Sequence, residues 1–109
     1  MNHAELLEKK LLSCFPDESI RVKVRAILET YGSENHEQEP YRVRLAILKL
    51  AGTEVPEIEK WAGFAKEDFR DILTWAEYPR QSKKWSAKGA EKRQLFEADL
   101  NEYQAWLNT

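Results

Sequence analysis

Apolar residues recur along this chain at helical spacing, and proline or glycine separates the runs. Leu7, Leu11 and then Cys14 or Phe15 form one stripe, which predicts a helix over residues 3–14. Pro16 ends it, because proline has no N–H to continue the ladder and restricts the residue before it. Ile20, Val24, Ile27 and Tyr31 predict a second helix over 18–31, with Asp17 as N-cap and Gly32 as terminator. Pro40 suits a first helical position and opens a third helix over 40–51. There Tyr41, Leu45 and Leu48 lie beside Val43, Ile47 and Leu50, a wide apolar face expected of a central helix. A rival reading exists for residues 20–26 and 41–47, which alternate as the strands of a hairpin would. Each run extends to a helix-like length and ends in Gly after Ala-Ile-Leu, which favours helix.

The second half follows the same pattern. A short helix is expected over 54–62, capped by Thr53 and broken by Gly63. Another covers 66–78, with Phe69, Ile72, Leu73 and Ala76 inward and Pro79 as its stop. The last covers 87–107 behind a Ser86 cap, with Phe96, Leu100, Tyr103 and Leu107 inward. Residues 33–39, Ser-Glu-Asn-His-Glu-Gln-Glu, read as the one flexible loop. The expectation is an all-α fold: one domain over residues 1–109, a single compact bundle of five to six helices.

Length and composition agree with one small soluble domain. The chain has 109 residues, 42% apolar and 33% charged. Cys14 is alone, which excludes an internal disulfide and any thiolate zinc site; it is expected as a small buried hydrophobe. Glu5, Glu8, Lys9 and Lys10 interrupt the N-terminal segment, so no signal-peptide core is expected, and no apolar run is long enough for a membrane span. These features lead to an expected cytoplasmic location.

Charge is uneven along the chain. The net value is −2, against the basic balance usual in nucleic-acid domains. Residues 53–78 hold seven acids and three cations, whereas 79–93 hold six cations and only Glu91. An acidic helical region therefore runs directly into a basic crossing.

The segment from Glu54 to Tyr78 resembles a helix-turn-helix, with Gly63 at the turn, Phe64 packed beneath it, and Ile58, Trp61 and Ala62 facing the core. The resemblance covers about a quarter of the chain, and any tight helix pair with a glycine turn gives it. Its second helix departs from a DNA reader, because the outward Glu67, Asp68 and Asp71 would repel phosphates.

On that second helix, Asp68, Asp71, Trp75 and Tyr78 fall away from the inward face. Tyr and Trp are favoured anchors of protein interfaces. Arg80, Lys83, Lys84 and Trp85 follow at once. Trp75 reads as a surface anchor and Trp85 as a core plug. The first functional expectation is a non-catalytic protein-interaction module, partnered by another protein or by itself as a homodimer. Trp75, Tyr78, Arg80 and Trp85 would be its anchors, with Asp68 and Asp71 opposing Lys83 and Lys84. The alternative is nucleic-acid binding by the basic 80–93 segment and the helix-turn-helix-like unit. A further basic set, Arg21, Lys23, Arg25, Arg42, Arg44 and Lys49, would form a patch if its two helices pack together. No catalytic constellation, cofactor motif or metal-ligand spacing is found. His36 with Glu34, Glu37 and Glu39 matches no rigid metal motif.

Overall fold

Helix starts are fixed locally. The structure, a computed structural model, describes residues 2–109. Asn2 caps α1 (His3–Cys14) by accepting the Glu5 N–H at 2.9 Å. Asp17 caps α2 (Glu18–Glu29), accepting from the N–H groups of Ser19 and Ile20. Pro40 opens α3 (Pro40–Ala51), where its missing N–H is no loss. Both alternating runs are thus helical, and the hairpin is excluded. Between them Gly32 takes φ 98°, and a Cβ there would stand 2.7 Å from the Cβ of Pro40. Glycine alone satisfies both the dihedral and the space.

The second half departs from expectation in its breaks. α4 runs Val55–Glu67, straight through Gly63, and α5 runs Phe69–Glu77. An isolated glycine costs a helix only about 1 kcal/mol relative to alanine. Burial of Ile58, Ala62 and Ala65 on one face of α4 offsets that. The break falls instead at Asp68, which ends α4 and caps α5 by accepting the Arg70 N–H at 3.0 Å. No glycine turn separates the pair, so the expected turn at Gly63 is not there. Nor does Thr53 cap α4; Glu54 holds that position without a side-chain bond.

Pro79 both follows α5 and begins a short extra helix, α6 (Pro79–Lys83), inside the expected loop. α7 (Gly89–Leu107) starts two residues later than expected, with Lys88 rather than Ser86 at the N-cap position. The described residues therefore hold seven helices and no strand, where five or six helices were expected.

α3 is central, packing against α1, α2, α4 and α5. Its Val43, Leu45, Ala46 and Ile47 are fully buried, and Leu11, Val24, Leu28, Ile58 and Ile72 close round them. Cys14 is only half-buried at the edge of this core. Ile20, Tyr41, Phe64, Phe96 and Leu100, all expected inward, are exposed.

Three charged groups take core positions. Lys10 is buried, its ammonium 4.2 Å from the centre of the Trp106 ring and bonded to the Trp106 carbonyl at 2.7 Å. Glu37 ties down the 33–39 loop by accepting the N–H groups of Gly32 and Glu34 and pairing with Lys66 at 2.8 Å. Asp99 anchors α6, as described below. No helix among the described residues is long and apolar enough to cross a membrane.

Candidate functional site

The eight candidate residues fall at three separate places. Asp68, Asp71 and Trp75 line a groove of about 410 Å³ between α4 and α5. Tyr78 lines a smaller pocket of about 140 Å³ with Glu77, Phe96, Leu100 and Tyr103. Arg80, Lys83, Lys84 and Trp85 lie on α6 and the turn that follows it.

The groove is built by three aromatic rings. Trp61 and Phe64 are one turn apart on α4, and their rings meet nearly edge to face with centroids 5.6 Å apart. Trp75 reaches across from α5 and meets Trp61 at 6.0 Å and 75°. Edge-to-face contact sets the electropositive ring edge against the electronegative face, the preferred arrangement for such pairs. Trp75 remains 44% exposed and Phe64 42%, so each presents much of its ring to solvent. Every lining residue belongs to α4, α5 or the Asp68 between them, so α7 does not cover the groove.

Carboxylates of Glu67, Asp68 and Asp71 rim these rings, against the single cation Lys60. The ammonium of Lys60 lies 5.4 Å from the centre of the Trp61 ring, within range of a cation–π contact. Asp68 is already engaged by the Arg70 guanidinium at 3.2 Å, which together with the Arg70 N–H lowers its pKa. Asp71 has no ion pair among the described residues. The groove is therefore aromatic, acid-rimmed and open, and a cation already rests on one ring face.

Sequence reasoning placed Trp61 in the core and Phe64 under a turn, and so missed both as groove residues. The signal lay in continuing α4 through Gly63 at 3.6 residues per turn, which brings Lys60, Trp61, Phe64 and Glu67 onto one side.

Arg80 is engaged within the chain. Its guanidinium meets Asp99 at 3.1 Å and Glu102 at 3.4 Å. Asp99 also accepts the N–H groups of Arg80 and Gln81, two donors that the first turn of α6 leaves without helical partners. Burial pushes the Asp99 pKa up, but the bonds from Gln81 and Arg80 outweigh it and leave the pKa lowered. Glu102 also takes the ammonium of Lys49 at 2.8 Å.

Trp85 contradicts its assignment as a core plug. It is 84% exposed, and the residues that share its shallow pocket, Gln81, Lys84, Lys92 and Leu95, all lie outside the buried core. Lys84 pairs with Glu91 at 3.4 Å, whereas Lys83 has no partner among the described residues. Asp68 and Asp71, expected to oppose Lys83 and Lys84 across a contact with a partner, make no ion pair with them within the chain.

The basic set on α2 and α3 is engaged within the fold, except Lys23, which is exposed and has no ion pair among the described residues. Arg25 pairs with Glu8, and Arg42 holds Glu77 through two bonds of 2.9 and 2.6 Å. Arg44 donates to the carbonyls of Leu28 and Tyr31, and Arg21 to that of Phe15. Among the described residues no group of three or more His, Cys, Asp or Glu side chains is placed to hold a metal.

Comparisons with protein-family models, with curated proteins and with solved structures find no match for this chain.

Proposed function

We propose that this chain is a non-catalytic protein-interaction module that self-associates and holds a basic segment of a partner protein in the α4–α5 groove. One observation carries the reading: Trp61, Phe64 and Trp75 form a half-exposed aromatic cluster inside a rim of three carboxylates. Such a surface favours a partner that offers a cation to the ring faces and an apolar stem or ring to the groove. Lys60 on Trp61 is an intramolecular instance of that chemistry. Self-association belongs to the same reading, because Tyr78, Phe96 and Leu100 leave a second apolar surface uncovered.

The test uses a labelled peptide with the sequence of residues 79–93, which is basic and carries one Trp. Saturable binding that is lost in Trp75→Ala and weakened in Asp71→Asn supports the proposal. Equal binding by wild type and both variants overturns it.

A second reading, single-stranded nucleic acid, is favoured by Trp85, exposed amid Lys83, Lys84, Lys88 and Lys92. Stacking on an exposed ring beside cations is the usual chemistry of such binding. The acidic outer face of the α4–α5 helix pair gives that reading no support from the helix-turn-helix resemblance. It expects affinity for an oligonucleotide that falls steeply with salt and is lost in Trp85→Ala. Absence of binding to DNA and RNA at low salt dismisses it.

A further inference from the structure

The stripe Phe96, Leu100, Tyr103 and Leu107 on α7 is divided between two environments. Tyr103 and Leu107 are buried in the chain's own core, whereas Phe96 is 48% and Leu100 46% exposed. Their four–three–four spacing is that of a helix–helix seam, and the seam runs past the edge of the domain without a partner. Tyr78, 38% exposed, extends it on one side and shares its pocket. On the other side, Arg93 lies about 20° and Glu97 about 60° beyond Leu100 around the helix. Both are exposed. The ion pairs of α7 involve Glu91, Asp99 and Glu102, and Arg93 and Glu97 take part in none among the described residues.

We infer that this seam is closed by α7 of a second copy, antiparallel and about a two-fold axis level with Leu95. An antiparallel pair sets the same flank of each helix against its counterpart. Arg93 of each copy therefore faces Glu97 of the other, twice by symmetry, and the two Phe96 rings meet beside the axis. The charge complementarity selects a second copy: unpaired residues of opposite sign stand symmetrically about one point on the same flank. The antiparallel direction follows from it, because a parallel pair sets this flank against the opposite flank of its partner, and Arg93 then does not meet Glu97. This deepens the self-association part of the proposed function and rests on it; the groove is left free for its partner. The contact is small, so the dimer is weak and forms with rising concentration.

Sedimentation velocity across roughly a hundredfold concentration range reads the equilibrium directly. The wild type shifts from monomer to dimer. Phe96→Glu and Leu100→Glu remain monomeric and keep the helical circular dichroism of the wild type, since both positions are exposed. Arg93→Glu weakens the dimer at least tenfold, and adding Glu97→Arg to it restores association. A wild type that stays monomeric, a dimer indifferent to Phe96→Glu, or a charge swap that fails to restore it overturns the proposal. Groove failure is distinguished because Trp75→Ala is expected to lose the peptide and keep the dimer, and Phe96→Glu the reverse.

Discussion

The indole rings of Trp61 and Trp75 meet edge to face at 6.0 Å, one from α4 and one from α5, and both line the groove. The two rings differ in burial, since Trp61 packs against the core and Trp75 stays 44% exposed. Trp75→Ala is therefore expected to cost about 1 kcal/mol of stability, the scale of one aromatic pair. Urea unfolding of the variant beside the wild type measures it. A loss near 4 kcal/mol, the scale of a buried ring, would mean that Trp75 is core.

Asp99 predicts a larger effect from a less conspicuous residue. Its side chain is 1% exposed and accepts from two backbone N–H groups, the Arg80 guanidinium and the Gln81 amide. Asp99→Ala leaves those donors unpaired and frees α6. The expected loss is about 2–3 kcal/mol, below the value for a fully buried pair because the Arg80 side chain is 43% exposed. Hydrogen exchange at the amides of Arg80 and Gln81 should rise toward unprotected rates, while that of α3 changes only with global stability.

Glu37 makes acid sensitivity specific. Burial pushes its carboxyl up, but the Lys66 ammonium and the N–H groups of Glu34 and Gly32 outweigh this and bring the pKa to about 2, from an ordinary 4.5. A carboxylate whose folded pKa is depressed stabilises the fold above its unfolded pKa. It loses that contribution as pH falls toward the folded value. The stability gap between wild type and Glu37→Gln should thus be full at neutral pH and shrink between about pH 4.5 and 2. Urea midpoints of the two proteins across that window check it, and a gap independent of pH would refute the assignment.

The exposed position of Trp85 is open to the same kind of test. At 84% exposure its replacement by Ala should change stability by no more than about 0.5 kcal/mol. A ring plugging the core would cost about 3–5 kcal/mol. Its fluorescence should also be quenched by iodide as readily as that of a free indole.

Legibility in the sequence followed interaction range. Helix positions could be read because Leu7–Leu11, Val24–Ile27 and Leu45–Leu48 repeat within a turn or two, and Asp17 bonds to residues two and three away. Lys10, Glu37 and Asp99 could not, because their partners lie 96, 29 and 19 positions away in the chain. A charged side chain reads as solvated until the fold supplies its counterpart. The candidate site was half legible for a related reason. Trp75 and the acids of α5 stand out on a single helical projection. Trp61 and Phe64 join them only if α4 passes through Gly63, a matter decided by packing rather than by glycine's own preference.

The joint at Asp68 has an evolutionary corollary. One residue ends α4 and starts α5, so the groove has no linker to absorb length changes. Inserting a single residue at this extended joint would change the register of α5 against α4. Trp75 would swing away from Trp61, and Ile72 out of the core. Substitutions can retune the rim charges one at a time, but this elbow admits no insertion or deletion. Among homologues, gaps should be absent at this position even where the flanking surface has diverged.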